Sequence, residues 1–465
     1  MFKVSYHYIT KKISVLFIVE ILILLASAYL GAAIRFLDEN NRFSPHFQDF
    51  SFSAFIFTFV MVVCMGTLGM YQPELRKGFR KTFTRLLPSF ALGFCIVSLV
   101  FYWIPHLYVD TGKLALELVI ASLGIVLVRI LFLKSADSRH LASRIIFLGT
   151  GALAKECMDL VKSHSDYHKE DIIGCVPMTD QECNVPASSI LHKDGSLLAT
   201  VRKYNAREVV ASVQDRRIGN FPIDELLECK LHGVKVTDAT AFFEREACQI
   251  KVDYLNPSWL VFGDGFDQSL LRIFMKRAFD LVASAILFIA ALPVMLITAL
   301  FIFLEDRGSI FYQQERVGKN GETFMVLKFR SMRKNAEKAG VPQFAATNDS
   351  RVTRIGRIIR KLRIDELPQI LNVLNGEMSF VGPRPERPYF VKQFCETLPY
   401  YNVRHSVKPG ITGLAQVRYQ YGASAEDALQ KLEYDLYYVK NNNLFLDFLI
   451  LLDTVQVVLF GKGSR

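Results

Sequence analysis

Long blocks of apolar residues alternate with short charged segments in the first third of the chain. The blocks fall at about residues 13–34, 52–70, 86–105 and 114–133. Each is close to the roughly 20 residues that a membrane-spanning helix needs. The fourth block carries Glu117 and Arg129 near its two ends. The pattern predicts a bundle of four transmembrane helices within residues 1–136, with four buried helices of a soluble domain as the alternative.

Basic residues are concentrated before the first block, between the second and third blocks, and after the fourth block. They are Lys3, Lys11, Lys12, Arg76, Lys77, Arg80, Lys81, Arg85, Lys134, Arg139 and Arg144. Because cytoplasmic loops of membrane proteins carry an excess of Lys and Arg, both ends of the bundle are predicted to be cytoplasmic. A cleaved signal peptide is not expected, since the first apolar run is long and lacks a small-residue cleavage site.

Short apolar runs alternate with amphipathic stretches at residues 141–255. Strands are predicted at residues 144–148, 172–176 and 208–213, and a helix at residues 223–231. This alternation predicts a Rossmann-like α/β domain with a parallel sheet. Gly149, Gly151 and Ala154 follow the first strand in the spacing of a dinucleotide-binding turn. No acidic residue lies about 20 residues beyond the glycines at a clear strand end, since Asp180 comes late, and no Tyr-x-x-x-Lys pair is present. A tight turn in a non-catalytic module is therefore the alternative.

The fifth apolar block, residues 281–304, has basic residues on both flanks and Pro293 at its centre. A straight helix of this length would measure about 36 Å. Pro293 removes one backbone hydrogen bond, and its ring meets the carbonyl of Ile289. A spanning helix should have one flank poor in basic residues. The pattern therefore predicts a broken, re-entrant helix that enters and leaves on the cytoplasmic side, with a kinked span as the alternative.

Two later segments have the character of membrane-interface helices. Residues 354–364 place an isoleucine and leucine stripe among basic residues that include Arg354, Arg357, Arg360 and Lys361. This pattern is typical of a helix that lies in the membrane interface or on a soluble core. Residues 444–460 are very apolar, but Asp447 and Asp453 interrupt them. This last segment is predicted to lie at the interface or in the catalytic core.

Composition and charge narrow the class of protein. The 465 residues suit two or three domains, 51% of them are hydrophobic, and the net charge is +10. Because the basic residues flank apolar segments, an anionic membrane leaflet and phosphorylated substrates are the expected partners, and nucleic acid is not. The eight cysteines form no Cys-x-x-Cys pair, so they are expected to be reduced thiols on the cytoplasmic side.

Asp365 and Glu366 precede a short predicted helix at residues 368–375, which Gly376 ends. Pro368 suits the first helical position, and the residue before a proline is pushed out of the helical region. A helix N-terminus favours anions and should keep at least one of the carboxylates ionised. An ionised carboxylate beside a phosphate site is a nucleophile or a Mg²⁺ ligand. An ordinary acidic first turn is the alternative.

Cationic residues suited to phosphate occur in the motifs around this pair. Arg384 lies in a rigid Gly-Pro-Arg-Pro turn, which suits bidentate phosphate binding. Lys328 and Arg330 add two cations, and Lys408 opens a glycine-containing loop. Taken singly, each is typical of a surface turn or a solvated charge.

Six motifs in this order resemble the bacterial polyprenyl-phosphate hexose-1-phosphate transferases, which are monotopic phosphoglycosyl transferases that start exopolysaccharide and O-antigen synthesis. The motifs are residues 276–280 (KRAFD), 314–318 (QERVG), 328–332 (KFRSM), 365–369 (DELPQ), 376–385 (GEMSFVGPRP) and 408–413 (KPGITG). The first half of the chain matches the long form of this family in architecture only. Members commonly have Ser-Pro where this chain has Leu292-Pro293, and others have Arg where Lys408 stands.

The resemblance implies three domains: a membrane α-helical bundle at 1–136, the Rossmann-like α/β module at 141–255, and an α-rich monotopic catalytic domain at 271–465 with the re-entrant helix at 281–304 and its kink at Pro293. It implies transfer of a hexose-1-phosphate from a UDP-sugar to polyprenyl phosphate, with release of UMP and a phosphosugar–Asp intermediate. The implied place is the bacterial inner membrane, with the catalytic domain on the cytoplasmic face. Membrane lipids are further expected partners, and a homodimer is left open.

The resemblance also assigns roles to single residues. Asp365 is the expected nucleophile, and Glu366, together with Asp365, is expected to hold Mg²⁺. Phosphate-binding roles fall to Lys328, Arg330, Arg384 and Lys408. Two other functions compete: a membrane-anchored nucleotide-sugar dehydratase or dehydrogenase that uses the α/β module, and a non-enzymatic scaffold for polysaccharide assembly.

Overall fold

A computed structural model describes residues 11–36, 50–71, 79–104, 111–136, 143–164, 170–178, 183–193, 195–213, 221–255, 260, 265–266, 268–333, 351–419 and 424–459. Helices predominate, together with a small parallel sheet. The chain divides into two compact units, one within residues 6–247 and one within residues 248–465. The predicted domain limits at residues 1, 141 and 465 lie outside the described residues.

Four apolar helices occupy the N-terminal region, as predicted. They are α1 (Lys11–Phe36), α2 (Phe50–Thr67), α3 (Phe79–Trp103) and α4 (Thr111–Ala136). Helices α1, α3 and α4 each contain an apolar stretch long enough to cross a membrane, and α2 is a shorter apolar helix. Leu24, Phe57 and Ile125 are fully buried between the helices, whereas Leu22 and Leu123 are exposed. Apolar side chains on both the inner and outer faces are expected of helices surrounded by lipid.

Paired charges explain how ionisable residues fit inside this bundle. The Arg129 guanidinium lies 2.6 Å from the Glu20 carboxylate and also donates to the Met70 carbonyl oxygen at 3.0 Å. Lys113 and Glu117 form a second buried pair at 3.5 Å. Charged side chains within membrane helices are costly unless they are paired, so these contacts account for the charges in the fourth apolar block.

A four-stranded parallel sheet confirms the predicted α/β module. Its strands are β1 (Ser143–Leu148), β2 (Glu170–Val176), β3 (Glu208–Ala211) and β4 (Lys235–Asp238), in the order β2-β1-β3-β4. Its helices are α5 (Ala152–His164), α6 (Leu197–Lys203), α7 (Ile223–Leu231) and α8 (Ala239–Ala247). The predicted glycine turn lies between β1 and α5, where Gly149 has a φ of 113° that side chains rarely adopt.

The unit within residues 248–465 is mainly helical. It contains α9 (Leu270–Asp306), β5 (Phe311–Val317), β6 (Thr323–Phe329), α10 (Arg354–Lys361), α11 (Gln369–Asn375), β7 (Ser379–Val381), α12 (Pro388–Thr397), β8 (Gly410–Thr412), α13 (Leu414–Arg418), α14 (Ala425–Asn441) and α15 (Leu444–Leu459). Strands β5 and β6 form an antiparallel hairpin, and β7 pairs with β8 in parallel.

The long helix α9 continues through Pro293, so the predicted break in the helix at this residue is wrong. The helix is also long and apolar enough to cross a membrane. Polar contacts tie its first turns to the rest of the unit. Lys276 Nζ donates to Asp447 Oδ2 at 2.6 Å, and Arg277 donates to the Val373 carbonyl oxygen at 2.6 Å. The buried Asp280 accepts hydrogen bonds from β7. The start of α9 is therefore anchored in the core of the unit within residues 248–465.

The end of α9 is anchored to the same unit. Asp306 forms an ion pair with Arg330, and Glu305 accepts the backbone N–H of Arg354 at 2.8 Å. Between the two anchored ends, Met295 packs in an apolar cluster with residues of β6 and α10. Contacts with one compact unit therefore extend along most of the helix.

The two segments predicted as interface helices, α10 and α15, differ in which of their side chains are buried. In α10, Ile359 is buried in the core, whereas Ile358 is 57% exposed. The helix therefore has apolar residues on its core side and on its outer side. In α15, Asp447 is fully buried against Lys276 and Tyr438. This partnership explains an acidic residue in an otherwise apolar segment and places α15 in the core.

Candidate active site

The two predicted active-site carboxylates lie in a single 3₁₀ turn, Ile364–Glu366, directly ahead of α11. Leu367 has φ −56° and ψ −38°, so the prediction that the residue before Pro368 leaves the helical region is wrong. The backbone is helical from the 3₁₀ turn into α11, because the Leu367 N–H donates to the Ile364 carbonyl oxygen. Gly376, with φ 89°, ends α11 as predicted.

Glu366 is held as an anion by two cations. Lys328 Nζ and Arg384 Nη2 each donate to Glu366 Oε1 at 3.1 Å. The Glu366 side chain is only 11% exposed. Burial opposes ionisation, but the charges of Lys328 and Arg384 outweigh it and hold the pKa of Glu366 well below its usual range. Glu366 is therefore a fixed negative charge at neutral pH.

Asp365 is in a different electrostatic state. Burial, and then the neighbouring charge of Glu366, raise the pKa of Asp365 to about 6 against the opposing effects of Lys328 and Arg363. Within the described part of the chain, no hydrogen bond or ion pair engages its side chain. Asp365 is therefore a basic carboxylate whose oxygens remain available to a ligand.

Lys328 is positioned by a buried amide on α11. The Asn372 side chain accepts the Leu327 N–H at 3.0 Å and donates to the Met325 carbonyl at 2.8 Å. These bonds fix the end of β6 against the helix that follows Asp365 and Glu366. The sequence analysis missed Asn372, although an Asn with apolar residues on both sides in a short helix is a usable signal of a buried polar contact.

Arg384 is positioned by the loop at residues 382–386. The Gly382 N–H donates to the Thr412 carbonyl at 2.9 Å, and Arg316 Nη1 donates to the Pro385 carbonyl at 3.0 Å. A Cβ on Gly382 would lie 2.4 Å from the Lys408 carbonyl oxygen, so only glycine fits this approach. The motif around Arg316 thus contributes to the site by holding the loop.

The other predicted phosphate-binding residues lie in different contacts. Arg330 pairs with Asp306 at the end of α9. Lys408 lies by Arg277, and burial together with that cation lowers the pKa of Lys408. The structure therefore groups Lys328 and Arg384 with the two carboxylates and places Arg330 and Lys408 elsewhere.

The site combines features that suit chemistry on a phosphate. The Glu366 carboxylate is ionised and hydrogen-bonded to the two cations Lys328 and Arg384. The Asp365 carboxylate beside it has a raised pKa. Arg360 and Arg363 add positive charge near Asp365. Such an arrangement offsets the repulsion between an attacking carboxylate and an anionic substrate.

Comparison with known proteins points to one family. Residues 271–461 match the family described as bacterial sugar transferase. The chain is 43% identical over 263 residues to a UDP-N-acetylgalactosamine-undecaprenyl-phosphate N-acetylgalactosaminephosphotransferase of Aeromonas hydrophila, covering 57% of this chain and 61% of that protein. It is 42% identical over 186 residues to a UDP-glucose:undecaprenyl-phosphate glucose-1-phosphate transferase of Caulobacter vibrioides, covering 40% of this chain and 69% of that protein.

A third relative is matched over its whole length. The chain is 41% identical over 200 residues to the exopolysaccharide production protein PSS of Rhizobium leguminosarum, covering 42% of this chain and 100% of that protein. The chain therefore belongs to the bacterial sugar transferase family. It spans 61% of the Aeromonas relative and 36% of an undecaprenyl-phosphate glucose phosphotransferase of Komagataeibacter xylinus.

Proposed function

We propose that this protein transfers a hexose-1-phosphate from a UDP-sugar to polyprenyl phosphate, with undecaprenyl phosphate as the acceptor, as the first membrane step of polysaccharide synthesis. The observation that carries the proposal is the turn in which Asp365 lies free beside Glu366, with Glu366 bound by Lys328 and Arg384. The names of the Aeromonas and Caulobacter relatives describe the same class of transfer.

In the proposed reaction Asp365 is the nucleophile. One of its carboxylate oxygens attacks the phosphorus that bears the sugar, the bond from this phosphorus to the bridging oxygen breaks, and UMP leaves with that oxygen. An oxygen of the polyprenyl phosphate then attacks the same phosphorus, and the Asp365 carboxylate is released. Splitting the transfer lets a polar donor and an apolar acceptor use the same site in turn. Lys328 and Arg384 offset the negative charge at the phosphates.

The carboxylate pair also suits Mg²⁺, which phosphate enzymes hold with one or two carboxylates and substrate phosphates. The described residues contain no group of three or more His, Cys, Asp or Glu side chains arranged to hold a metal ion. Asp365 and Glu366 would therefore hold the ion together with the donor's phosphates. The raised pKa of Asp365 is consistent with this, because a cation relieves the repulsion between the two carboxylates. When bound, Mg²⁺ would neutralise charge on the diphosphate.

UMP release tests this proposal directly. The purified protein in nanodiscs is given a panel of UDP-hexoses and UDP-N-acetylhexosamines with undecaprenyl phosphate and Mg²⁺. Release of UMP with one or a few sugars, and formation of a diphosphate-linked lipid sugar, is the expected result. Bound nicotinamide in the purified protein would favour the dehydrogenase alternative, and zero turnover with every nucleotide-sugar would favour the scaffold.

We further propose that α9 is re-entrant and that the catalytic unit lies on the cytoplasmic face of the bacterial inner membrane. Lys276 and Asp306 are anchored to the same compact unit. If α9 crossed a hydrocarbon core about 30 Å thick, that unit would need residues on both sides of the membrane. Met295, near the middle of α9, also packs on this unit, which argues against such a crossing.

Labelling of single cysteines distinguishes the re-entrant helix from a span. With the native cysteines replaced, one cysteine is placed near Lys276 and one near Arg307. Both should react only from the cytoplasmic side. A cysteine at Asn41, in a loop that the charge pattern places outside, controls for labelling from the other side. Labelling of the two test positions from opposite sides would show that α9 spans the membrane.

For the α/β module we propose a doubly wound, Rossmann-like fold with a structural or regulatory role. The strand order β2-β1-β3-β4 is the beginning of the 2-1-3-4-5 order of flavodoxin-like sheets. Similarity to the Aeromonas relative extends over 263 residues, more than residues 271–465 contain, so it reaches into this module. The acidic residues nearest the expected spacing, Glu170 and Asp171, lie at the start of β2 and not at its end, where a dinucleotide-binding acid would be needed, and the sequence of the module has no Tyr-x-x-x-Lys pair.

Two truncated chains test the role of the module. A chain beginning at Cys248 keeps Lys251, which pairs with the buried Glu433 at 3.1 Å, whereas a chain beginning at Leu271 loses this contact. Both should release UMP, and the longer one should have the higher melting temperature. A folded Cys248 chain without activity would make the module part of the catalytic machinery.

A further inference from the structure

One buried arginine makes four directed hydrogen bonds beneath the Arg384 loop. Arg404 Nε and Nη2 donate to Asp435 Oδ2 at 3.0 and 2.7 Å. Nη2 also donates to the Arg384 carbonyl oxygen at 2.9 Å, and Nη1 donates to the Tyr401 hydroxyl at 2.9 Å. The side chains of Arg404 and Asp435 are 5% and 2% exposed. No motif in the sequence analysis included Asp435, which lies on α14.

Arg404 reaches the site through the backbone of Arg384. The Arg384 side chain donates a hydrogen bond to Glu366, and the Arg384 backbone carbonyl oxygen accepts one from Arg404. The same guanidinium is fixed by Asp435, so the position of the Arg384 backbone depends on a pair that does not itself contact the carboxylates. We propose that Arg404 and Asp435 form a positioning pair. By fixing the Arg384 backbone, the pair sets the position from which the Arg384 guanidinium contacts the diphosphate of the donor.

This inference rests on the proposed function, since it assumes that Arg384 acts on the phosphates of a nucleotide-sugar. The geometry requires arginine at position 404. A planar guanidinium supplies donors in three directions, to Asp435, to the Arg384 carbonyl and to Tyr401, whereas a lysine ammonium on a flexible stem cannot keep all of them in place. Asp435→Asn removes the charge that orients the guanidinium but keeps the side-chain size.

A purely structural buried ion pair would have a different signature. Its loss would lower stability and would reduce activity by the same factor whether or not the Arg384 side chain is present. A pair that acts through Arg384 loses its effect on activity once that side chain is removed. Coupling of this kind is what a double-mutant cycle measures.

The test compares Arg404→Lys, Asp435→Asn and Arg384→Ala, singly and in pairs, by kcat/KM for UMP release from the UDP-sugar. With Arg384 present, Arg404→Lys and Asp435→Asn should each reduce kcat/KM about 10- to 100-fold, mainly through KM for the donor. In the Arg384→Ala background the same changes should cost less than about threefold. Equal factors in both backgrounds, in protein that is folded by circular dichroism, would overturn the proposal.

A matched control separates positioning from loss of a buried charge pair. Glu433 lies two residues before Asp435 on α14 and pairs with Lys251 at 3.1 Å. Glu433→Gln should lower the melting temperature about as much as Asp435→Asn and leave KM for the donor unchanged. A rise in donor KM of the same size in Glu433→Gln would refute the specific role of Asp435.

A binding measurement provides a second cycle that does not depend on turnover. Calorimetric titration with UDP and Mg²⁺ should show weaker binding in Asp435→Asn than in wild type, and no further weakening in Asp435→Asn combined with Arg384→Ala relative to Arg384→Ala alone. Additive weakening would overturn the inference. Wild-type protein that binds UDP but turns over no UDP-sugar would instead contradict the proposed transferase function and leave this binding cycle to decide on Arg404 and Asp435.

Discussion

Protonation of Asp365 is expected to set the acidic limb of the pH dependence of UMP release. The pKa of this carboxyl is raised to about 6, first by burial and then by Glu366. At pH 7 about nine in ten Asp365 side chains are then ionised, and at pH 5 about one in ten. Because the carboxylate is the attacking form, activity is present above this pKa and lost below it. The kcat/KM for the UDP-sugar should therefore fall about tenfold from pH 7 to pH 5.

Two charge-removing substitutions should move this limb in opposite directions. Glu366→Gln removes the negative neighbour that raises the pKa of Asp365, so the limb should move to lower pH. Lys328→Met removes a cation that lowers the same pKa, so the limb should move to higher pH. Both changes should also reduce the maximal rate, because Lys328 and Glu366 are bonded to each other in the candidate active site. The quantity to compare between variants is therefore the pH at the midpoint of the acidic limb, and not the maximal rate.

The assay follows UMP release in nanodiscs between pH 4.5 and pH 8 at several Mg²⁺ concentrations, since a bound cation also lowers the pKa of a carboxyl. Glu322→Gln, at an exposed carboxylate next to β6, is the matched control and should leave the limb in place. A wild-type limb near pH 4 at the lowest Mg²⁺ concentration, or a limb at the same pH in all four proteins, would refute the reasoning.

The remaining substitutions test single contacts. With a UDP-sugar labelled in the sugar and no lipid acceptor, wild type should release stoichiometric UMP and retain the label on a peptide that contains Asp365. Asp365→Asn should do neither. UMP release that begins only after lipid is added would indicate direct attack by the lipid phosphate. Excess Mg²⁺ should partly restore the UMP release that Glu366→Gln loses, and identical Mg²⁺ dependence in both proteins would argue against a metal role. Gly382→Ala should reduce kcat/KM at least about tenfold, because its Cβ would meet the Lys408 carbonyl at 2.4 Å, with melting temperature measured alongside. Asp447→Asn should lower stability by about 3 kcal/mol in urea unfolding, since it leaves Lys276 without its buried partner.

Local sequence signals predicted much of the fold. Glycine at the end of α11 and alternating apolar runs in the α/β module predicted elements that the structure confirms. These signals work because they act within a few residues of the chain. The residue before Pro368 was predicted wrongly because the 3₁₀ turn at Ile364–Glu366 supplies a hydrogen bond that keeps Leu367 helical. A local steric preference was outweighed by a local hydrogen bond.

The composition of the candidate site was harder to predict from sequence. Five of the six motifs contain basic residues, and nothing in their spacing shows which cations meet the carboxylates. Lys328 and Arg330 are two residues apart on or beside β6, yet Lys328 bonds to Glu366 and Arg330 to Asp306. Side chains two residues apart on a strand share a face, so alternation alone would predict a common partner for the two cations. Arg330 lies one residue beyond the end of β6, where it meets the end of α9 instead. Asn372 was missed because its partners on β6 are distant in sequence.

A single carbonyl group links α9 to the Arg384 loop. The Val381 carbonyl oxygen accepts from Lys276 Nζ at 3.0 Å and from the Tyr438 hydroxyl at 2.9 Å, and both donors also bond to Asp447. Val381 ends β7, one residue before the loop begins. The first turns of α9 and the backbone that carries Arg384 therefore share one buried hydrogen-bond network. If α9 enters the membrane as proposed, a shift of its first turns would be passed through these hydrogen bonds to the backbone that carries Arg384.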